Sequence, residues 1–91
     1  MKYHPLIAVS LKMYMNGAET RAWISSIAEE VQARAERDAI EVAVFPSYLM
    51  LGETAQRLRG TGIHTGAQNV FWEDGGAYTG EVSAPMLAEI G

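Results

Sequence analysis

Hydrophobic residues recur along the chain in a repeating order, a short apolar run followed by an amphipathic stretch. Three such runs occur, at residues 6–9, 40–45 and 63–68, and the third is the weakest and most polar. Short runs rich in β-branched residues predict strands, whereas apolar residues three or four positions apart predict helices with one buried face. The pattern therefore predicts three units, each a β-strand followed by an α-helix.

The helices are placed by periodicity and by residues that start or stop a helix. The first helix carries apolar residues at helical spacing, namely Trp23, Ile24, Ile27, Ala28, Val31 and Ala35. Ser47 is placed to cap the second helix, which is expected to stop at Gly60. The third is expected to begin near Ser83, with Pro85 in its first turn, and to run up to Gly91. Strict alternation of strand and helix predicts an α/β protein with parallel strands.

Two architectures fit parallel strands joined through helices, a doubly wound sheet and a (β/α)8 barrel. A barrel needs about 250 residues, so the 91 residues present supply only three of its eight units. Parallel sheets are rarely left uncovered, and three strands with two open edges make a poor independent domain. Residues 1–91 are therefore interpreted as a single partial domain, the N-terminal βαβαβα segment of an incomplete barrel.

Composition narrows the range of functions. The chain is 48% hydrophobic and 20% charged, its net charge is −4, and it contains no cysteine, which excludes disulfides and thiolate chemistry. Without a basic stripe, nucleic acid is not an expected partner. No apolar run approaches the roughly 20 residues that span a bilayer, and the first residues lack the apolar stretch of a signal peptide. We therefore expect a cytoplasmic protein with no membrane partner.

Lys12 is the first candidate for chemistry, because it follows the carboxyl end of the first predicted strand. α/β folds place their sites at that edge. An ammonium at about 4 Å from an anionic oxygen contributes about 4 kcal/mol at an effective dielectric near 20, enough to organise a phosphorylated or enolate-forming substrate. The alternative is a solvated surface lysine. His4 and His64 are far apart in the sequence and predict no metal site.

A long connection after the third strand is the second candidate. Residues 70–82 contain Phe71, Trp72 and Tyr78, whereas such connections usually take about 2–6 residues. Exposed aromatic residues in a protruding loop indicate a subunit interface. The alternative is a loop packed on itself, with a turn at residues 75–76. Spacing alone does not choose between them.

Several motifs together resemble those of the triosephosphate isomerase family. The matching motifs are Lys12-Met13, Phe45-Pro46, Gly66-Ala67-Gln68-Asn69, Trp72-Glu73, residues 76–83 and Ser83-Ala84-Pro85-Met86-Leu87. The resemblance extends over essentially the whole chain, and the third-loop match is long and highly specific. It implies a TIM barrel and an isomerase that interconverts dihydroxyacetone phosphate and glyceraldehyde 3-phosphate through an enediolate. It also implies a homodimer or higher oligomer that uses no cofactor and no metal.

The resemblance also implies roles for individual residues. Lys12 matches the first-loop lysine that contacts substrate and stabilises negative charge, and Ser10 stands at a substrate-contacting position. Thr79 matches a residue at the loop tip that reaches into the neighbouring subunit. The positions expected at the dimer interface are Gln68, Asn69, Tyr78, Thr79, Gly80 and Glu81.

Two departures from the family pattern affect the interpretation. The usual first-loop motif is Asn-Trp-Lys-Met-Asn, and here residues 10–14 read Ser-Leu-Lys-Met-Tyr. The shorter Ser10 side chain changes hydrogen bonding beside the reacting carbons, so an isomerase of a four-carbon ketose phosphate, erythrulose phosphate, is an alternative. The family's electrophilic histidine and glutamate base come from later units, so this chain alone is expected to be inactive.

Two further hypotheses come from other classes of protein. The segment could be a non-catalytic assembly module kept for its third loop, although Lys12 has no role in such a module. A small doubly wound phosphate-binding domain is the weakest alternative, because the glycine-rich first loop of such domains is missing.

Overall fold

A computed structural model describes residues 4–91 and contains one parallel sheet of three strands. The strands are β1 (Leu6–Ser10), β2 (Glu41–Phe45) and β3 (His64–Thr65), in the spatial order β1-β2-β3. Leu6 lies beside Glu41 in the β1/β2 register, and Ala43 lies beside His64 in the β2/β3 register. The predicted class, parallel βα units matching the N-terminal part of a (β/α)8 barrel, is confirmed.

Residues 4–91 contain four helices, where three were predicted: α1 (Gly17–Glu30), α2 (Gln32–Asp38), α3 (Tyr48–Arg57) and α4 (Ala84–Glu89). A capping box starts α1, in which the Asn16 side chain accepts from the Glu19 amide at 2.8 Å and the Glu19 carboxylate accepts from the Asn16 amide at 3.2 Å. The prediction of a single first helix was wrong in one respect. The helix is interrupted at Val31, and a second short helix follows. Apolar spacing continues across that break, so periodicity could not reveal it.

The predicted start signals of the other two helices had different outcomes. The Ser83 hydroxyl accepts from the Met86 amide at 3.4 Å, and Pro85 lies in the first turn of α4 as predicted. Ser47 is the residue before α3, but its side chain makes no capping hydrogen bond, so that detail of the prediction was wrong. The Met50 amide instead donates to the Ser47 backbone carbonyl at 3.0 Å, which already satisfies one of the free amides of the first turn.

The core lies between the sheet and the helices. Val42 and Val44 of β2 point toward the helix layer, where they join Ile24, Leu58 and Ile63 in one buried cluster. Val44 is fully buried and Ile24 is 1% exposed. Each such side chain contributes about 1.5–3 kcal/mol through the apolar area removed from water, so this layer holds the sheet and helices together.

The opposite face of the sheet carries the alternate residues of each strand. Ser10, Ala43 and His64 lie on this face, and the His64 ring reaches Glu41 with Nε2 3.6 Å from Oε1. In the described residues this face has no helix layer of its own, and Leu6 on the outer strand is 60% exposed. A closed barrel buries that face in its interior, which fits the expected partial domain.

The third strand is shorter than predicted. The sequence indicated a strand over residues 63–68, whereas regular pairing covers only His64 and Thr65. The Gly66 amide still donates to the Val44 carbonyl at 2.9 Å, but beyond it the chain turns. This turn frees the side chains of the next residues to bond across the ends of the neighbouring strands.

Candidate functional site at the carboxyl ends of the strands

Lys12 lies in the loop that begins where β1 ends, at the edge of the sheet predicted to carry the site. Its backbone has φ +52°, a left-handed conformation that residues with a Cβ seldom adopt. Leu11, immediately before it, is buried and donates its amide to the Phe45 carbonyl at 3.0 Å. The loop is therefore fixed to β2 one residue before the strained position, while the Lys12 side chain itself is exposed.

A cavity of about 280 Å³ opens beside Lys12. Its lining comes from the loops that follow the three strands and from the first residue of α3: Lys12, Met13, Ser47, Tyr48, Gln68 and Asn69. Lys12 carries the only full charge among these residues. The cavity therefore offers an anionic ligand one cation at the carboxyl edge of the sheet.

Gln68 links the ends of the first two strands. Its side-chain nitrogen donates to the Lys12 carbonyl at 3.1 Å and to the Phe45 carbonyl at 2.8 Å. The Ser10 hydroxyl accepts from the Lys12 amide at 3.3 Å. Two side chains therefore hold the backbone of Lys12. Ser10 at the end of β1 binds its amide, and Gln68 in the loop after β3 binds its carbonyl.

Asn69 is held from the other side of the cavity. The Tyr48 hydroxyl, at the start of α3, donates to the Asn69 backbone carbonyl at 2.5 Å. The contact of Tyr48 was not predicted from the sequence, and Gln68 was predicted at the dimer interface without any contact to the first loop. Neither contact has a periodic signal, because each joins residues more than 20 positions apart.

The third loop is closed at its base and open at its tip. The Phe71 amide donates to the Val82 carbonyl at 2.8 Å, and Phe71 pairs with Ser83 in an isolated parallel bridge. The Phe71 ring lies 4.6 Å from the Tyr78 ring between centroids. Trp72 is 79% exposed, so the loop packs some of its aromatic surface on itself and leaves the rest to solvent.

The positions predicted for the interface lie in two groups. Tyr78, Thr79, Gly80 and Glu81 belong to the exposed tip and its return. Gln68 and Asn69 belong to the base, next to Lys12. The structure thus brings the base residues to the candidate site and holds the tip residues apart from it.

Away from the cavity, a cluster of charged side chains joins α1 to α3. The Glu53 carboxylate accepts from Arg21 Nε at 2.7 Å and from Arg57 Nε at 2.8 Å. Hydrogen bonds from Arg21 and then Arg57 lower the pKa of Glu53 below its usual value. The residues are exposed or half-exposed and paired with one another, which is typical of a structural ion pair between helices.

Residues 4–91 show neither a metal-binding cluster nor a membrane-spanning helix. Among residues 4–91, no group of three or more His, Asp or Glu side chains is arranged to hold a metal ion. Within the same range, none of the helices has both the length and the apolar content needed to cross a membrane.

The parallel βα fold is of the class that places its functional sites at the carboxyl ends of the strands, the edge at which Lys12 lies. A family model described as triosephosphate isomerase matches residues 5–91. The chain belongs to the triosephosphate isomerase family.

Individual relatives agree with that assignment. The chain is 42% identical over 87 residues to the triosephosphate isomerase of Rubrobacter xylanophilus, covering 96% of this chain and 33% of that protein. The triosephosphate isomerase of Caldanaerobacter subterraneus subsp. tengcongensis is also 42% identical, with 96% and 34% covered. The L-erythrulose-1-phosphate isomerase of Pectobacterium atrosepticum is 39% identical, with 93% and 34% covered. The chain spans about a third of the length of these curated relatives.

Proposed function

We propose that this chain forms the first three units of a (β/α)8 barrel that interconverts dihydroxyacetone phosphate and glyceraldehyde 3-phosphate through an enediolate. The observation that carries the proposal is the position of Lys12, beside a cavity at the carboxyl edge of the sheet in a chain of this family. Residues 1–91 then form a single partial domain, and the cytoplasm is its predicted location.

Exposed apolar residues on β1 support completion of the barrel by further units. Leu6 and Ile7 are 60% and 50% exposed, although they belong to a strand and point to opposite faces of the sheet. In a closed barrel a neighbouring strand and helix would cover both side chains, and the outer edge of β1 would be hydrogen-bonded. The general base and the electrophile would come from those units.

The proposed role of Lys12 is electrostatic. Its ammonium would attract the phosphate and stabilise the negative charge that develops on the enediolate oxygens, where a fixed cation is most effective. Ser10 is the last residue of β1, two positions before Lys12, and its hydroxyl retains a proton to donate to substrate while it accepts from the Lys12 amide. We therefore assign Ser10 and Lys12 to substrate binding.

The third loop supports the proposal of a homodimer. Trp72, next to the base of the loop, is 79% exposed and Tyr78 at the tip is 44% exposed, and aromatic residues at a protruding surface are typical of interfaces. A second copy would cover the tip, with Thr79 directed toward that copy's first loop. Six residues form the proposed contact: Gln68, Asn69, Tyr78, Thr79, Gly80 and Glu81.

Replacing Lys12 by alanine in a chain that carries all eight units tests the central assignment. We expect kcat/KM for the triose phosphate to fall by about 100-fold or more, the effect of removing one charge-stabilising group. Arg59→Ala is the matched control, because it removes an exposed cation elsewhere on the surface and should leave kcat/KM unchanged. An unaltered rate in Lys12→Ala would refute the role proposed for this residue.

The first-loop sequence favours a second candidate, isomerisation of a four-carbon ketose phosphate. Ser10 replaces the family's usual asparagine, and a shorter side chain beside the substrate leaves room for a longer sugar. The relative from Pectobacterium atrosepticum bears the name L-erythrulose-1-phosphate isomerase, yet it is no more similar to this chain than the triosephosphate isomerases are.

Assaying triose and tetrulose phosphates on one enzyme preparation distinguishes the two substrates. If the second candidate is correct, Ser10→Asn should shift the ratio of kcat/KM values toward the triose phosphate, because the amide fills the added space and restores a second donor. Turnover of the triose phosphate alone, unchanged by the substitution, would eliminate the four-carbon sugar.

A further inference from the structure

We infer that Tyr48 is a positioning residue whose hydroxyl fixes the point at which the third loop leaves the sheet, and so sets the affinity between two copies of the chain. This inference rests on the proposed function, because it presumes that the third loop contacts a second copy. It assigns the role to one phenol group, at a position outside the six residues proposed for the contact itself.

The backbone between β3 and the third loop has few hydrogen bonds. Backbone-to-backbone bonding at the end of β3 stops at the Gly66 amide and resumes at the Phe71 amide in the loop. Within the part of the chain that the structure describes, the backbone groups of residues 67–70 make one hydrogen bond, in which the Asn69 carbonyl accepts from the Tyr48 hydroxyl at 2.5 Å. That bond is therefore the direct hold on this stretch of backbone.

Tyr48 is itself attached to a firmly packed part of the fold. It is the first residue of α3, and Pro46, two positions before it, is fully buried. Met50 and Leu51 in the first turn of the helix are also buried. Because a tyrosine side chain rotates about only two bonds, a fixed helix start gives its hydroxyl a well-defined position. The Asn69 carbonyl is thus hydrogen-bonded to a rigid point on α3.

The hold acts at the base of the third loop. Asn69 lies two residues before Phe71, whose amide bonds to the Val82 carbonyl and closes the two stems. Val70, between them, is 49% exposed, so burial does little to fix this part of the stem. Since Thr79 lies at the far end of the same loop, a small rotation at Asn69 would displace the tip by a larger distance.

Loop anchoring affects the affinity between two copies through the entropy of association. A loop that is already held in its bound position loses less conformational freedom on binding than a loop that pivots. Removing one neutral hydrogen bond changes an equilibrium constant by a factor of about 2–10. Tyr48→Phe removes the hydroxyl and retains the ring, so we expect the dimer dissociation constant to rise by about fivefold.

The test measures dimer affinity in a chain that carries all eight units. Analytical ultracentrifugation over a range of concentrations gives the dissociation constants of the unmodified protein and of Tyr48→Phe. Thr61→Val is the matched control, because the Thr61 hydroxyl also donates to a backbone carbonyl, that of Leu58 at 2.6 Å, but before the start of β3. This control should lower the free energy of unfolding and leave the dissociation constant unchanged.

Hydrogen exchange at the Phe71 amide gives a second measurement that does not depend on the dimer. In the Thr79→Arg background, where the contact between copies is weakened, Tyr48→Phe should accelerate this exchange by about fivefold, because the base of the loop opens more often. Thr61→Val should not accelerate it. A purely structural role of the Tyr48 hydroxyl would lower the free energy of unfolding and change neither the exchange rate nor the dissociation constant.

Three results would each overturn the inference. They are an unchanged dissociation constant in Tyr48→Phe, an unchanged exchange rate at the Phe71 amide, and effects of equal size in Thr61→Val. The proposed dimer fails separately: an unmodified protein that stays monomeric at every concentration rejects the dimer and the inference together. A dimer whose affinity is insensitive to Tyr48→Phe rejects the positioning role alone.

Discussion

The ring of Phe45 lies directly against the backbone of Gly66. A Cβ atom placed on Gly66 would fall 2.7 Å from Phe45 Cδ1 and closer still to Cε1, which is nearer than real side chains approach. Phe45 is the last residue of β2, and its carbonyl anchors the first loop through Leu11 and Gln68. The close approach thus connects the packing of β3 on β2 to the position of the candidate site.

Gly66→Ala should destabilise the protein by about 1–3 kcal/mol, because the methyl group forces the Phe45 ring or the strand to shift. Chemical denaturation measures the change in the free energy of unfolding. Gly52→Ala is the control: Gly52 lies within α3 with open space around it, so alanine should stabilise by about 0.5–1 kcal/mol. Equal effects of the two substitutions would contradict the proposed clash.

The Glu53 ion pairs predict a pH dependence. Hydrogen bonds from Arg21 and Arg57 lower the pKa of Glu53 in the folded protein. A carboxyl with a lowered folded pKa stabilises the fold above its unfolded pKa and loses that contribution as the pH falls through the folded pKa. Glu53→Gln should therefore be less stable than the unmodified protein at neutral pH, and the difference should diminish under acid conditions.

Thermal denaturation at several pH values measures that difference. Because all three side chains are solvent-accessible, added salt should also reduce it. Glu29→Gln, an exposed glutamate of α1, serves as a control for the loss of one negative charge. A stability difference that stays constant from neutral to acid pH would show that the ion pairs are not its source.

Thr54 provides a prediction of increased stability. It is 1% exposed within α3, and its hydroxyl oxygen makes no hydrogen bond in the structure. Valine has nearly the same shape without the polar group, so Thr54→Val should raise the free energy of unfolding by about 1 kcal/mol. Urea denaturation provides the measurement, and lower stability in the variant would indicate that the hydroxyl finds a partner in solution.

The proposed dimer can be tested at the loop tip. Thr79→Arg places a long charged side chain where a second copy is expected to close over the loop, and should raise the dimer dissociation constant by about tenfold or more, equal to about 1.4 kcal/mol. Analytical ultracentrifugation over a range of concentrations measures it. Ser26→Arg, at an exposed position of α1, should leave the dimer unchanged, and a similar result for both variants would reject this interface.

Much of the fold was predictable because its signals are periodic. Val42 and Val44 alternate as a strand requires, and they form the buried centre of the sheet. The break at Val31 was not predictable, because the apolar face of α1 continues into α2 without a change in spacing. The shortening of β3 likewise depends on tertiary contacts around Gly66, which no local pattern records.

The candidate site was predictable in location but not in construction. Lys12 follows a strand, and that order alone places it at the carboxyl edge of the sheet. The Lys12 backbone is left-handed, and its carbonyl accepts a hydrogen bond from Gln68, which is 56 positions away in the sequence. A single sequence contains no periodic or compositional trace of such a contact, so only the three-dimensional structure reveals it.

The hydrogen bond between the Phe71 amide and the Val82 carbonyl holds the two stems of the third loop side by side. Changes in the amino acids between those stems need not alter the backbone that leads back to Gln68. For the proposed dimer, substitutions between the stems are therefore expected to change the contact between two copies without moving the base of the loop at Gln68. A chimera that exchanges only residues 72–81 between relatives should inherit the donor's pairing preference and keep the recipient's turnover.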